Sequence, residues 1–243
     1  MTFAKKQVVV TGGGNGIGRC ITQAFTQEGA DVIVIDIDKD AGESLQGIRF
    51  FHGDISQGAV LESLVNGLAG PVDCLINNVC LSRGGLLSRC SWEDFEYVQR
   101  VGVTAPYYLT SLLLQRGLLA PGAAIINIAS TRAFQSQPDT ESYTAAKGGI
   151  VALTHAMAIS LAGRARVNCI SPGWIDTAKT PEHSGQDKHQ HPAGRVGVPE
   201  DIAETVLFLC SEKASFITGE NITVDGGMSR LMVYHNDHGW SLT

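Results

Sequence analysis

Short hydrophobic runs recur along the chain, and helix-length stretches separate most of them. Because the runs are apolar throughout and do not alternate with polar residues, they favour a parallel sheet that helices cover on both faces. The pattern predicts an α/β fold, a doubly wound parallel sheet of about seven strands with helices on both faces. The predicted strands cover residues 7–10, 31–35, 48–52, 72–76, 123–128, 166–170 and 221–224.

Length and hydrophobic content fit one domain over residues 1–243, although length alone leaves two small domains possible. Residues 177–197 are polar, rich in His, Gly and Pro, and lack periodicity, which predicts a substrate lid or a disordered loop. Residues 230–243 form a C-terminal extension whose apolar side chains include Met232, Tyr234 and Trp240. So many apolar groups predict packing on a neighbouring subunit.

Composition narrows the class of protein. A net charge of −6 argues against a nucleic-acid surface, which needs clustered Lys and Arg. No apolar stretch approaches the roughly 20 residues that span a bilayer, and no signal peptide is evident, so we expect a cytoplasmic protein without a membrane partner. The six cysteines include no CxxC pair and are expected to be reduced thiols.

Three histidines, His183, His189 and His191, lie in the polar segment. Imidazoles are good metal ligands, so a metal cluster is one interpretation. The other is a lid that carries solvated histidines, and it is favoured because no acidic or cysteine partner stands at ligand spacing. The sequence therefore predicts no metal.

The segment TGGGNGIG, residues 11–18, joins the first predicted strand to a helix. A helix N-terminus offers unpaired N–H groups and partial positive charge, and bare glycine backbone lets a pyrophosphate approach. Tight turns in proteins that bind nothing also use glycine, so this signal is weak alone. Asp36 ends the second strand, where a carboxylate binds the ribose hydroxyls of NAD and repels the 2′-phosphate of NADP, unless it is a solvated loop acid. Asp54 follows the third strand and either faces the adenine or belongs to a helix cap.

Taken with later motifs, this spacing resembles the short-chain dehydrogenase/reductase family over nearly the whole chain. The matching motifs are NNVC (residues 77–80), the Ser130, Tyr143 and Lys147 spacing S-x12-Y-x3-K, SPGWIDT (residues 171–177) and the signature at residues 194–227. The resemblance implies a Rossmann-like fold and an NAD-dependent oxidoreductase. It also implies an alcohol or ketone substrate and a homotetramer.

Tyr143 and Lys147 are four residues apart in an alanine-rich, helix-like stretch, so their side chains share a face. Tyrosine, with an ordinary pKa of about 10, is a poor base unless nearby positive charge favours its anion. Tyr143 is then the general base that takes a proton from an alcohol as hydride leaves its carbon, and the acid in reverse. Ser130 ends the fifth strand and would hydrogen-bond the substrate oxygen. Without context, the same residues are an ordinary surface pair and a turn serine.

The resemblance also distributes cofactor contacts. It gives Lys147 a bond to the nicotinamide ribose and Asn77 a role in tying strands together. Trp174 is expected to form a wall of the substrate pocket. The complete set expected to hold NAD is Gly12, Asn15, Gly16, Ile17, Gly18, Asp36, Asp54, Ile55, Asn78, Tyr143, Lys147, Pro172, Gly173, Ile175 and Thr177.

Two positions depart from the family pattern. Gly102 stands where the family has an asparagine that holds a helix bend and a water beside the lysine. Glycine supplies the bend but not the side chain, which leaves open a catalytically weak NAD-binding sensor or scaffold. Cys80 replaces the last glycine of NNAG, either as a small buried thiol or as a group that narrows the pocket. An NADP-dependent enzyme is a further alternative, opposed by Asp36 and by the neutral Asn15.

Overall fold

The computed structural model describes residues 2–45, 47–178, 180–234 and 236–237. Its strands are β1 (Gln7–Thr11), β2 (Asp31–Asp36), β3 (Arg49–His52), β4 (Val72–Asn77), β5 (Leu119–Ile128), β6 (Ala165–Pro172) and β7 (Asn221–Val224). They form one parallel sheet in the order β3-β2-β1-β4-β5-β6-β7. The predicted fold class is confirmed, and every predicted strand is present. The clearest difference is the start of β5 at Leu119, which pairs with Val72 before the register shifts.

Helices connect the strands and cover both faces of the sheet. They are α1 (Gly16–Gln27), α2 (Lys39–Glu43), α3 (Gly58–Asn66), α4 (Trp92–Gln99), α5 (Ala105–Gln115), α6 (Glu141–Ser160), α7 (Gly185–His189) and α8 (Pro199–Cys210). A π-helical turn, Arg100–Thr104, joins α4 to α5. Short 3₁₀ turns cover Thr131–Ala133, Glu212–Ala214 and Met228–Arg230.

Alternate residues of each strand enter separate cores on opposite faces of the sheet. In β1, Val8 and Val10 pack in the core that contains Ile21 of α1 and Leu209 of α8. Val9 packs on the other face with Leu109 of α5. Because both faces of the central strands are covered, the middle of β1 and the middle of β2 are apolar at every position, which explains their continuous hydrophobic runs.

The strand order places a cleft at the carboxyl edge of the sheet. The chain runs from β1 outward to β2 and β3, then returns to β4 on the other side of β1. Connections on either side of β1 therefore leave in opposite directions, and a crevice opens between them. The glycine-rich turn after β1 and the motif residues after β4, β5 and β6 all reach this edge.

The polar segment 177–197 is more regular than expected. It contains α7, so the expectation of an irregular segment is wrong for these five residues. The Ser184 hydroxyl accepts from the Asp187 N–H at 3.1 Å, and the Asp187 carboxylate accepts from the Ser184 N–H at 2.9 Å. This reciprocal cap stabilises a helix too short to show periodicity.

Three further features of the whole chain are its cysteines, its helices in relation to a membrane, and its C-terminal extension. All six cysteines lie in the described part of the chain, and none of them forms a disulfide there, in agreement with the prediction of reduced thiols. None of the helices in the described ranges is long and apolar enough to cross a membrane. In the C-terminal extension, Met232 and Tyr234 are 74% and 66% exposed on the single chain, and Trp240 lies outside the described residues.

Candidate active site

The glycine-rich turn folds back so closely on β1 that side chains would not fit. Gly12 has φ +65°, a left-handed conformation that favours glycine. A Cβ at Gly18 would lie 1.9 Å from the Gly12 carbonyl oxygen, and one at Gly14 would lie 2.8 Å from Asp36 Oδ2. The glycines therefore serve the turn's own packing, and this packing brings the start of α1 to the cleft.

The N-terminus of α1 is open towards the cleft. Asn15 occupies the cap position but makes no capping hydrogen bond, and the first turn carries no acidic residue. The Asn15 amide instead donates to Asp38 Oδ2 at 2.9 Å. The first N–H groups of α1 and their partial positive charge are thus left for an anion, as a pyrophosphate requires.

Two asparagines after β4 organise this edge of the sheet. The Asn78 amide donates to the carbonyls of Thr11 and Gly12 at 3.2 and 3.1 Å and so holds the glycine-rich turn. The Asn77 amide donates to Asn127 Oδ1 of β5 at 2.8 Å. Asn127 in turn donates to the Thr154 hydroxyl of α6 at 2.9 Å, so a buried polar chain joins β4, β5 and α6.

Backbone N–H groups fix the orientation of the Asp36 carboxylate. Its Oδ2 accepts from the Gly14 N–H at 2.9 Å, and its Oδ1 accepts from the Asp38 N–H at 3.0 Å. Asp38 adds a second carboxylate close by. The Asn15 amide and then the Ala41 N–H hold the pKa of Asp38 below its usual range, which keeps this carboxylate charged. Negative charge therefore dominates the cleft beside β2.

Asp54 has protein partners as well as a place on the cleft. Its Oδ1 accepts from the Ser56 N–H at 2.9 Å, and its Oδ2 accepts from the Tyr97 hydroxyl at 3.2 Å. Burial, followed by the charge of Asp54, raises the pKa of Tyr97 and keeps this hydroxyl a donor. The next helix, α3, is capped at Gln57, so Asp54 is not its cap residue.

Ser130, Tyr143 and Lys147 come together at the base of the cleft. Lys147 is only 3% exposed, and its Nζ donates to the Ile128 carbonyl at 2.6 Å. The same Nζ lies 5.3 Å from the centroid of the Tyr143 ring. The buried Lys147 side chain therefore lies beside the Tyr143 ring. Ser130 caps the 3₁₀ turn Thr131–Ala133 after β5, and its hydroxyl accepts from the Arg132 N–H at 3.2 Å.

Two cavities meet at these residues. One, of about 600 Å³, runs from the glycine-rich turn past Asp36 and Asp54 to Tyr143 and Lys147. The other cavity, of about 710 Å³, extends from Ser130 and Tyr143 to Arg132 and Trp174. They share four lining residues, Ser130, Tyr143, Gly173 and Ile175.

Most residues predicted for the cofactor line the first cavity. Gly16 is not among its lining residues; it has φ +54° and packs towards Thr177. Trp174 lines the second cavity and is 39% exposed. Lining residues outside the predicted set include Gly53, Val79, Leu81, Arg83 and Tyr97 in the first cavity and Arg132 in the second. Val79 belongs to the motif NNVC, whereas the others lie outside the quoted motifs and reach the cavities through loop and helix packing.

Two loop histidines are held in contacts, which corrects the expectation of solvated side chains. His191 is 2% exposed, and its Nδ1 donates to the Asp187 carbonyl at 2.8 Å. His183 Nε2 lies 3.1 Å from Asp176 Oδ2. Both rings pack against Trp174, which supplies an aromatic surface that the local sequence does not reveal. Within the described part of the chain, no cluster of three or more His, Cys, Asp or Glu is placed to hold a metal.

Gly102 lies in the π-helical turn between α4 and α5, so the local distortion is present without an asparagine. A Cβ at Gly102 would lie 2.8 Å from the Ala146 Cβ and 3.0 Å from Cys80 Sγ. Ala146 is on α6 between Tyr143 and Lys147. Gly102 therefore lets the π-helical turn pack directly against the helix that carries both of these side chains.

Comparison with known proteins agrees with this geometry. Residues 12–229 match the protein family described as Enoyl-(Acyl carrier protein) reductase. An uncharacterised oxidoreductase of Thermotoga maritima is 44% identical over 250 residues, covering 94% of this chain and 98% of the relative. The structure of an apo SCOR enzyme from Clostridium thermocellum has a TM-score of 0.90 at 46% identity and covers 98% of both chains. A 3-ketoacyl-(acyl-carrier-protein) reductase from Brucella melitensis, complexed with NADH, has a TM-score of 0.81 at 32% identity, covering 93% of this chain and 99% of that one.

Proposed function

The chain belongs to the short-chain dehydrogenase/reductase family of oxidoreductases, and from this premise we propose that it interconverts a secondary alcohol and a ketone with NAD. The observation that carries the proposal is the meeting of two cavities at Ser130 and Tyr143. The first cavity has the features of a dinucleotide site. The second leaves a separate space for a substrate next to the same two side chains.

The chain's own residues fit the cofactor. The uncapped start of α1 would hold the pyrophosphate, and Asp36 would accept from the ribose hydroxyls next to the adenine. Asp54 and Ile55 would border the adenine, and Lys147 would bind the other ribose. When bound, the nicotinamide supplies the acceptor of the hydride in one direction and the donor in the other.

Tyr143 handles the proton. Its phenolate oxygen takes the hydroxyl proton of the alcohol. The alcohol's oxygen then becomes the carbonyl oxygen of the ketone as hydride leaves the adjacent carbon for the cofactor. In the opposite direction the phenol returns that proton to the developing alkoxide. Lys147 stabilises the phenolate through its buried charge. Ser130 donates to the substrate oxygen and holds it beside Tyr143.

NAD is favoured over NADP by charge. Asp36 and Asp38 border the place where an adenine ribose would bind, and a 2′-phosphate there would face both carboxylates. Of the cationic residues that line the cavity, Arg83 already pairs with Asp94 at 2.6 Å, and Lys147 lies at the opposite end. The Brucella relative complexed with NADH supports the same preference.

The alternative is an NAD-binding sensor or scaffold with weak catalysis, and Gly102 is the observation that favours it. The side chain that the family places beside the lysine is absent, and a Cβ there would press on Ala146. In its place, the Ile128 carbonyl holds Lys147 Nζ. Turnover decides between the two functions.

The exposed apolar groups of the C-terminal extension also support assembly. Met232 and Tyr234 are largely exposed on the single chain, although apolar side chains of this size are usually buried. Together with the family membership, they support a homo-oligomer, which we propose to be a tetramer.

The experiment is the appearance of NADH with purified protein, NAD and a panel of sugar, polyol, hydroxy-acid and steroid alcohols. Replacement of Tyr143 by Phe keeps the ring and removes the proton carrier. We expect turnover that falls by about 10²–10⁴ in this variant, the usual contribution of a general acid or base. Tight NADH binding without turnover of any alcohol would instead support the sensor. Full activity of Tyr143→Phe would refute the assigned proton transfer.

A further inference from the structure

We infer that Arg132 binds an anionic group of the substrate, so that the preferred substrate is a small alcohol that carries a carboxylate or phosphate close to its carbinol. This inference rests on the proposed function and specifies its substrate class. It depends on where Arg132 lies, on the neutral partner that its guanidinium has among the described residues, and on the polar side chains of the cavity that it lines.

Arg132 lies next to both residues proposed to contact the reacting oxygen. It is in the 3₁₀ turn Thr131–Ala133 that follows Ser130, and its backbone N–H donates to the Ser130 hydroxyl at 3.2 Å. Its guanidinium carbon lies 5.9 Å from the centroid of the Tyr143 ring. In one substrate molecule, an anionic group bound by this guanidinium would therefore be only a few bonds from the carbinol carbon that Ser130 and Tyr143 hold.

The guanidinium of Arg132 has a neutral partner. It donates to the Gln137 side-chain carbonyl, and in the described part of the chain it forms no ion pair. Arg83 and Arg195, by contrast, each pair with an aspartate at 2.6 Å. Since a guanidinium has five N–H donors, Arg132 retains several for a ligand.

Acidic residues nearby in sequence are engaged elsewhere. Asp139 accepts from the N–H groups of Leu87 and Ser88, both at 2.9 Å. Glu141 accepts from the Leu86 N–H at 3.3 Å. Both carboxylates thus hold the loop at residues 86–88, and neither neutralises Arg132.

The second cavity is polar around this charge. Its lining includes the hydroxyls of Ser82, Thr131 and Ser136 and the amides of Gln135 and Gln190. Arg132 is the one charged side chain among the described residues that line it. Trp174, Ile175 and Met228 add an apolar part to the same lining, which suits the short carbon skeleton of a small substrate. A guanidinium fork matches the paired oxygens of a carboxylate or phosphate, which makes a small anionic substrate the best fit.

The test compares anionic alcohols with neutral analogues. The probes are β-hydroxybutyrate against its methyl ester, and glycerol phosphate against glycerol, each with NAD. We expect kcat/KM for at least one anion to exceed that of its neutral partner by about 10- to 100-fold, the effect of a hydrogen bond to a charged group. The pair that shows the preference identifies the anion as carboxylate or phosphate.

Three variants assign the preference to Arg132. Arg132→Gln removes the charge and should bring the ratio of anion to neutral substrate close to one, mainly through a rise in KM for the anion. Arg132→Lys keeps the charge without the fork and should give an intermediate ratio. Arg116→Gln removes the same charge at an exposed position outside both cavities and should keep the wild-type ratio. Because each ratio is taken within one variant, a general loss of activity cancels.

The outcomes separate this inference from the proposed function. Turnover of neutral alcohols with no preference for either anion, or an unchanged ratio in Arg132→Gln, would overturn the role of Arg132 and leave the dehydrogenase intact. If no alcohol turns over, acetoacetate and inorganic phosphate are titrated into the protein–NADH complex and the emission of NADH is followed. Saturable binding of either probe that weakens at least about tenfold in Arg132→Gln would support the anion site. Binding that is absent or equal in both proteins would refute it.

Discussion

A methyl group added at Gly102 would enter a space that neighbouring side chains already fill. In Gly102→Ala the new Cβ would lie 2.8 Å from the Ala146 Cβ and 3.0 Å from Cys80 Sγ, well inside ordinary carbon contacts. Overpacking of a buried site usually costs about 1–3 kcal/mol, and two contacts this short place Gly102→Ala in the upper part of that range, at about 2–3 kcal/mol. Alanine recovers about 1 kcal/mol through its better helix propensity. We therefore expect a net loss of about 1–2 kcal/mol, or about 2–8 °C in Tm for a chain of this length.

The assay is urea unfolding followed by circular dichroism, with Gly148→Ala as the matched control. Gly148 lies in α6, and a Cβ there would meet nothing within 4 Å. The same substitution at Gly148 should therefore stabilise the protein by about 0.4–1 kcal/mol. A loss of stability in Gly102→Ala together with a gain in Gly148→Ala would separate the effect of packing from the effect of helix propensity.

A double-mutant cycle locates the cause of the loss. Ala146→Gly removes the methyl group that the new Cβ would meet, so Gly102→Ala should cost about 1–2 kcal/mol less in that background. Gly102→Ala at or above wild-type stability would refute the close packing of the π-helical turn on α6. Equal losses in both backgrounds would show that Ala146 is not the obstacle.

Three further predictions concern the cofactor, the response to pH and assembly. Asp36→Ala should lower the ratio of kcat/KM with NAD to that with NADP by about tenfold, because one repulsive charge is lost; an unchanged ratio would remove Asp36 from cofactor selection. The Arg195 guanidinium lowers the pKa of Asp201 below its ordinary 3.8, so the stabilisation from this pair is complete above that value and is lost as the pH falls below it. Urea unfolding from about pH 6 to about pH 3 should show a smaller acid loss for Asp201→Asn, and parallel curves would contradict this. Removal of residues 230–243 should lower the assembly mass measured by light scattering, and an unchanged mass would argue against packing of this segment between subunits.

Much of the site follows from position along the chain. Residues at the carboxyl ends of parallel strands, or just beyond them, share one edge of the sheet, so Asp36, Asn78 and Ser130 reach the cleft once the strands are located. Helical spacing adds Tyr143 and Lys147, since side chains four residues apart share a face. Contacts with a cofactor remain predictions for all of them, whereas their common placement around the cleft is observed.

Other features depend on segments that meet from distant parts of the chain. Tyr97 reaches Asp54 from α4, and Trp174 covers His191, although neither contact leaves a local pattern. The π-helical turn that contains Gly102 likewise packs against Ala146, which lies on the later helix α6.

The sequence by itself determined the sheet, its covering helices and the spacing of Ser130, Tyr143 and Lys147. These depend on burial of both sheet faces and on helix geometry, which act over a few residues and leave a period in the chain. Only the tertiary structure decided that Arg132 lies over Tyr143 and is the one charged side chain among the described residues that line the second cavity. Such placement depends on how a loop packs against a helix, and that packing is set by contacts between residues far apart in sequence.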